Sequence, residues 1–439
     1  MIKKFLLMSL VLSQLAISCS SDDNNGETTT ETEQSLAEQI ANISKQPYSK
    51  LTPAEQKIKL EAEANEMLVQ LDKSKSIAAT GAIENLQLLL DASQVDLFGK
   101  KGNNKVEKIM NVSGAYGIYT WDDSKKDWVK TDSKSELKFV FPANKTQTTN
   151  NAIFTAKSTS SDIKIPTEDV NDEFFFPTSA DATLTIDGVV AASFTQTAKY
   201  SNGKETPDEF GYKMTIKEGY AWEMSSTKAT ENTAKALFSY NGKNLIAFNS
   251  GSTANIDELL KEDALAQYRG KANGLITLMD NLVIVANMDL ATNASEEAAL
   301  EKNNPYPVFP DSSDPKADYK KYYTAENAYR QKQSEGMVAN YNKNMKLILV
   351  SKKDGTKIAD VVVHLEKEEN SSNLPVWDSQ NKYWDQWSGQ GEAFTEIYYY
   401  EVYYLKFNDN TEVEMGAYFS TGFEKLESKF TDFIKAFEK

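Results

Sequence analysis

The spacing of hydrophobic positions changes several times along the chain. Phe5 to Ile17 is a continuous apolar run behind Lys3 and Lys4. It has the length of a secretion-signal core and is too short to span a bilayer. From Ser20 to about Gln46, apolar residues thin out and Ser, Thr, Asp, Asn and Glu dominate. Such a composition does not offset its own ordering entropy, so residues 19–50 read as an acidic polar tether. Helical spacing follows. Thr52-Pro53-Ala54-Glu55 combines a capping box with proline at the first helical position. Ile58, Ala64, Met67, Leu68 and Leu71 then share one stripe, and Ile77, Ile83, Leu86, Leu89 and Leu90 mark a second helix.

From Val106 the period drops to two. Tyr116 to Trp121 and Trp128 to Lys130 flank a polar turn and predict a hairpin. Asp187-Gly188 and Asn241-Gly242 each sit between short β-prone runs, the pattern of type I′ turns whose central residues both need φ > 0. Tyr212 to Met224 reads as one strand, and the region 106–250 as an antiparallel meander. Asn255 and Glu258 open a helix with Gly270 placed to end it, and Leu275 to Leu290 returns to strand. Asn304 to Pro315 is a proline-rich loop, and Asp314-Pro315 opens a long helix with Tyr319, Tyr322, Tyr329, Met337 and Tyr341 on its buried side. Two more hairpins follow, around Asp354-Gly355 and Asn408-Asp409-Asn410. A capping box at 421–424 then starts a helix carrying Phe423, Leu426, Phe430, Phe433, Ile434 and Phe437 on one face. The fold these elements predict is α+β: a large curved antiparallel sheet, open like a half-barrel, with helices packed on one face. Residues 51–439 form the globular region, with a sub-boundary near 300–316.

Composition narrows the partners. The 439 residues carry a formal charge of −16, and loss of 1–18, with two lysines and no acid, leaves −18. Phosphate backbones need a basic stripe, so nucleic acid is not an expected partner. Arg269 and Arg330 are the only arginines, which rules out an arginine cluster for anion capture. Cys19 is the only cysteine, so no internal disulfide can form.

Little catalytic chemistry survives inspection. His364 is the only histidine. It excludes two-histidine metal sites and cysteine–histidine pairs; its strand position beside Asp360, Val362 and Glu366 reads as a partly exposed sheet residue rather than a general base. No Gly-x-Ser-x-Gly elbow accompanies it. Gly389-Gln390-Gly391 lacks the third glycine of a dinucleotide loop. The acids at Asp122, Asp123 and Asp127, and at Asp311, Asp314 and Asp318, lack the calcium-loop pattern and read as solvated turn residues. No catalytic residue, metal or cofactor is expected. A carboxylate-pair hydrolase stays as an alternative, because two acids about 5–9 Å apart are all that glycoside hydrolysis requires.

One stretch favours binding. Trp377 to Trp387 places Trp377, Tyr383, Trp384 and Trp387 among Asp, Asn and Gln residues. Flat aromatic faces with amide and carboxylate neighbours suit sugar rings and protein contacts alike. The competing reading is that the indoles plug one end of the sheet. Glu396 to Phe407 puts Tyr398, Tyr400 and Tyr404 on one face and Tyr399, Tyr403 and Leu405 on the other, the pattern of a strand covered on both sides.

Leu15-Ala16-Ile17-Ser18-Cys19 resembles the lipobox of bacterial lipoproteins. The resemblance implies cleavage before Cys19, diacylglycerol on its thiol and acylation of the new amino terminus, with anchoring by the acyl chains. Ser20-Ser21-Asp22-Asp23 resembles the surface-export signal of Bacteroidota lipoproteins. Together with Gly117 to Trp121, Leu137 to Pro142, Lys357 to Val361, Phe407 to Val413 and the Phe-rich last helix, these features resemble an uncharacterised group of Bacteroidota lipoproteins. That group implies no activity. The expectation is a lipid-anchored outer-membrane lipoprotein, cell-surface exposed or alternatively periplasm-facing. It would be non-catalytic, binding a protein, lipid or glycan partner through its curved sheet or through the Trp377–Trp387 loop.

Overall fold

Hairpins joined end to end make most of the molecule. In the computed structural model, the described residues are 35–72, 78–92, 116–164, 175–201, 203, 206–259 and 268–423. Cys19, the Ser20–Asp23 signal and the last helix beyond Phe423 lie outside them. The strands are β1 (Gly117–Asp122), β2 (Asp127–Thr131), β3 (Leu137–Phe141), β4 (Ala152–Lys164), β5 (Phe175–Ile186), β6 (Val189–Lys199), β7 (Glu209–Ile216), β8 (Tyr220–Thr227) and β9 (Asn232–Tyr240). They continue with β10 (Lys243–Ser252), β11 (Lys271–Leu278), β12 (Leu282–Asp289), β13 (Met345–Ser351), β14 (Thr356–Asn373), β15 (Val376–Asp378), β16 (Tyr383–Asp385), β17 (Ala393–Lys406) and β18 (Glu412–Glu414). Seven helices are described: α1 (Leu36–Ser44), α2 (Pro53–Asp72), α3 (Ala78–Ala92), α4 (Ile256–Leu259), α5 (Leu290–Asn303), α6 (Tyr319–Asn344) and α7 (Met415–Tyr418).

Sixteen strands form one curved, open sheet, with β2 at one edge and β18 at the other; β15 and β16 pair separately. From β3 to β14 every strand pairs with its sequence neighbour, which makes the expected meander. The one departure from antiparallel order is β1 with β3, which are parallel. The cause is topological. β2 folds back onto the outer edge of β1, so the next strand can reach only the inner edge and runs in the β1 direction. The expected type I′ turns form, with φ of 50° and 75° at Asp187 and Gly188 and 48° and 74° at Asn241 and Gly242. Two expected single strands are hairpins instead. Tyr212 to Met224 breaks at Gly219 (φ 98°), which donates to the Ile216 carbonyl at 2.9 Å. Leu275 to Leu290 breaks at Met279 and Asp280, both at positive φ. Asp tolerates that conformation and Met does not; Asn281 donates to the Leu278 carbonyl at 3.0 Å to close the turn, and tertiary bonds hold it in place. Met279 donates to the Leu245 carbonyl at 2.9 Å, and the buried Asn281 side chain accepts from the Lys353 amide at 2.7 Å.

One face of the sheet carries the main core. Tyr119, Phe139, Phe141, Phe154, Leu184, Tyr220 and Phe238 are buried beneath Ala79, Ala82, Leu86 and Leu90 of α3. The register carries this face onward, Phe238 opposite Ile246, Ile246 opposite Leu278 and Leu278 opposite Leu282. There Leu60 of α2 and Met415 and Tyr418 of α7 cover Leu349, Ile358, Ala359 and Leu405. The α2 capping box forms as expected, Thr52 N donating to Glu55 at 2.8 Å and Glu55 N to Thr52 at 3.3 Å. On the opposite face α1 adds a short helix, with Ile40 buried against Leu275, Val283, Val285 and Val350. The expected tether is therefore shorter than 19–50. Residues 36–44 are helix, and Pro47 and Ser49 extend the sheet by bonding both backbone groups of Lys357, at 2.8 and 2.7 Å. Leu36, Ile40 and Ile43 supply an apolar stripe that the polar average of the segment hides.

β14 and β17 outrun their neighbours. They pair from Asp360–Lys406 to Asn373–Ala393, whereas the β13 pairing ends at Val361. The excess is a two-stranded ribbon, and α6 crosses it. Two asparagines of α6 pin the crossing. Asn342 donates to the Val363 carbonyl at 2.8 Å and accepts from the Val363 amide at 2.9 Å. Asn327 donates to the Thr395 carbonyl at 2.8 Å and accepts from the Ile397 amide at 2.9 Å. Each side-chain amide mimics a neighbouring strand and satisfies backbone groups that have no strand beside them.

Asn342→Asp turns a donor into a carboxylate oxygen facing the Val363 carbonyl. Urea unfolding should register a loss of about 1–3 kcal/mol for this variant, and Asn327→Asp should behave alike. Unchanged midpoints in both would mean that the clamps contribute nothing.

Candidate functional site

The tip of the ribbon carries the tryptophan stretch. Val376 pairs with Asp385, Trp377 with Trp384 and Asp378 with Tyr383, so β15 and β16 form a small hairpin. Asp378 makes its turn, accepting from the Gln380 and Asn381 amides at 2.8 and 3.0 Å and from the Asn381 side chain at 2.8 Å. Those bonds, the Asn381 side chain first, hold the Asp378 carboxyl below the usual range. Gly391 closes the base of the loop; a Cβ there would lie 1.7 Å from the Leu374 carbonyl oxygen. That close approach is its role, and it has nothing to do with phosphate.

Cross-strand pairing divides the four aromatic candidates. Trp377 and Trp384 share one side of the hairpin, meet edge to face at 5.7 Å and are half-buried. Trp384 also lies 4.8 Å from Tyr319 of α6, and its indole donates to the Asp314 carbonyl at 3.0 Å. These two indoles plug the end of the fold, as the competing reading expects. Tyr383 and Trp387 do not: Trp387 is 93% exposed and Tyr383 about half.

The structure adds residues that the sequence left unassigned. The 304–318 loop lies against α6, where Phe309 meets Tyr319 and Tyr322 edge to face at 5.6 and 5.0 Å. Tyr306 meets Tyr329 at 4.9 Å, and Tyr323 lies 5.8 Å from Phe394 of β17. Aromatic contacts of this kind are worth about 0.5–1.5 kcal/mol each beyond area burial. Rings therefore run without a break from Phe309 through Tyr319 and Trp384 to Trp377. Around them three apolar groups face outward beside the exposed polar residues 311–314: Val308 is 92% exposed, and Tyr306 and Phe309 about half. The available signal was three large apolar residues inside a proline-rich loop.

Beneath the loop sits a charged node. Glu326 is buried and accepts from Arg330 at 2.7 Å and from the Tyr306 hydroxyl. Arg330 also reaches Glu396 at 3.9 Å and stacks 4.3 Å over the Tyr398 ring, whose hydroxyl donates to Glu396 at 2.8 Å. Two carboxylates thus converge on one arginine. The arginine thereby links α6 to β17 at their crossing. The glutamate partners raise the Tyr306 and Tyr398 phenols, and burial raises those of Tyr319 and Tyr323.

The remaining candidates are engaged locally. His364 is exposed, with Nε2 2.5 Å from Glu412, while Asp360 accepts from Tyr48 and Glu366 from Tyr404. Neither acid beside His364 is paired with it. Asp311 accepts from Ser313, Asp314 from the Lys316 amide, and Asp318 caps α6 through the Lys321 amide at 2.9 Å. Asp122 makes the β1–β2 turn with Ser124 and Lys125, and Asp123 pairs with Lys126 at 2.6 Å.

Trp384→Ala should unfold at lower urea than the wild type, losing about 3–5 kcal/mol at most, and Trp387→Ala should match the wild type. Equal losses would mean that the hairpin does not divide plug from free surface. The raised phenols set the alkaline limit. Their contribution is complete below the ordinary tyrosine pKa of about 10 and is lost as pH rises through their folded values. Phenolate absorbance above about pH 10 should therefore lag that of the denatured chain and catch up as circular dichroism collapses. Superimposable titrations of folded and denatured protein would contradict this.

No protein-family model matches the chain, and neither the curated proteins nor the solved structures contain a match.

Proposed function

We propose that the chain is a lipid-anchored cell-envelope lipoprotein that binds a partner, without catalysis, through the aromatic end of its ribbon. One observation carries this reading. Trp387 and Val308 are almost fully exposed, and Tyr306, Phe309 and Tyr383 are about half exposed, on loops tied to one continuous aromatic cluster. Single exposed apolar residues are ordinary; several around one rigid cluster mark a surface that gains by being covered. The anchor is read from the sequence: lipid on Cys19, with Ser20-Ser21-Asp22-Asp23 directing surface exposure and a periplasm-facing location as its alternative. Among the described residues no helix is long and apolar enough to cross a membrane.

A glycan is the second reading of the same surface, and it rests on Trp387 and Tyr383, because Trp377 and Trp384 are occupied by packing. Binding of a hydrophobic ligand on the sheet has less support, since Tyr119, Phe139, Phe141 and Leu86 are buried between α3 and the strands. The convergence of Glu326 and Glu396 on Arg330 favours a structural role for those acids over hydrolysis.

Binding of the purified chain to isolated cell envelopes and to a glycan array should weaken about tenfold or more in Trp387→Ala/Val308→Ser, with an unchanged thermal transition. Undiminished binding would remove the aromatic end from consideration. Cys19→Ala should move the protein from the membrane fraction to the soluble one; retention in membranes would contradict the anchor.

A further inference from the structure

The ribbon carries a second pattern, on the face that holds His364. β14 places Glu366 and Glu368 there, and β17 places Tyr398, Tyr400 and Tyr404 there, as the register requires. Every one of these phenols donates to a glutamate: Tyr404 to Glu366 at 2.9 Å, Tyr400 to Glu368, and Tyr398 to Glu396 at 2.8 Å. Each bond fixes a ring beside a carboxylate. Glu366 and Glu368 are exposed, and Tyr400 is 47% exposed.

The first rung shows what such a pair holds. Arg330 lies over the Tyr398 ring at 4.3 Å and faces Glu396 at 3.9 Å, a guanidinium on a π-face next to a carboxylate. The attraction combines the ring quadrupole with the ion pair. Tyr400 with Glu368 and Tyr404 with Glu366 repeat the arrangement, and among the described residues no lysine or arginine is paired with either glutamate. On one strand face, side chains two residues apart are about 7 Å apart. Glu366 and Glu368 have that spacing on β14, and an extended segment has the same period, so basic side chains at alternate positions would meet these two carboxylates in turn. The chain's net charge of −16 draws such a segment in from a distance.

We propose that the tyrosine–glutamate ladder of the β14–β17 ribbon docks an extended partner segment bearing arginine or lysine at alternate positions. The ladder meets the aromatic end through Arg330 and Glu326, so both surfaces can serve one partner. The inference rests on the binding reading above but uses different residues and can fail separately.

The probe is a labelled peptide alternating arginine with threonine, titrated into the full folded chain by fluorescence anisotropy at low salt. A matching peptide of alternating glutamate and threonine serves as control. The arginine peptide should bind saturably and the glutamate peptide should not. Glu366→Gln/Glu368→Gln, and separately Tyr400→Ala, should weaken binding about tenfold or more. Glu301→Gln/Asp181→Asn, which removes the same charge from exposed acids elsewhere, should leave it within about twofold. Trp387→Ala should not change peptide affinity, because it tests the aromatic end alone. Wild-type affinity in the ladder variants, or an equal loss in the Glu301/Asp181 control, would overturn the proposal.

Discussion

Pairing of β14 with β17 is the interaction on which the aromatic end of the molecule depends. Fourteen residue pairs hold the two strands together, and only the first few have further strands beside them. An isolated two-stranded ribbon is marginal in water, so this one needs support. α6 provides it: Asn342 and Asn327 replace missing strands, Tyr341 packs on Tyr403 at 5.8 Å, and Arg330 holds Tyr398 and Glu396. The tip hairpin and the exposed ladder are both carried on that supported ribbon.

The cost of holding α6 there is a buried carboxylate. Glu326 would be strongly unfavourable alone, and its bonds from Arg330 and Tyr306 compensate. Because Tyr306 belongs to the 304–318 loop, the same node fixes the loop whose apolar residues point outward. A structural requirement of the ribbon thus sets the geometry of the exposed surface, and rigidity there lowers the entropy that binding must overcome.

The sheet itself is simple by comparison. From β3 to β14 each strand meets the next in sequence, although residues 290–344 intervene between β12 and β13. α3 and α2 cover the large aromatic residues of one face, and α1 covers a smaller patch on the other. The sheet's buried aromatics lie under these helices, and the exposed aromatics lie on the ribbon and its neighbouring loop.

Much of the fold was legible in the sequence because its determinants are local. Period-two alternation, Asp187-Gly188, Asn241-Gly242 and the Thr52–Glu55 box each act within a few residues, and each forms as expected. What misled depends on contacts from elsewhere in the chain. Met279 at positive φ is no turn signal, and the distant Leu245 carbonyl helps to hold it there; the polar segment 36–44 hides the three apolar residues that dock it. Chemistry followed the same division. Composition limits the catalytic options and the Cys19 motif suggests an anchor, since both depend on residue type alone. Which indoles are plugged and which are free, why Glu326 and Arg330 meet, and why tyrosines and glutamates alternate across two strands depend on pairing between segments far apart in sequence. Register and helix crossing, set by the packing of the whole, decided those.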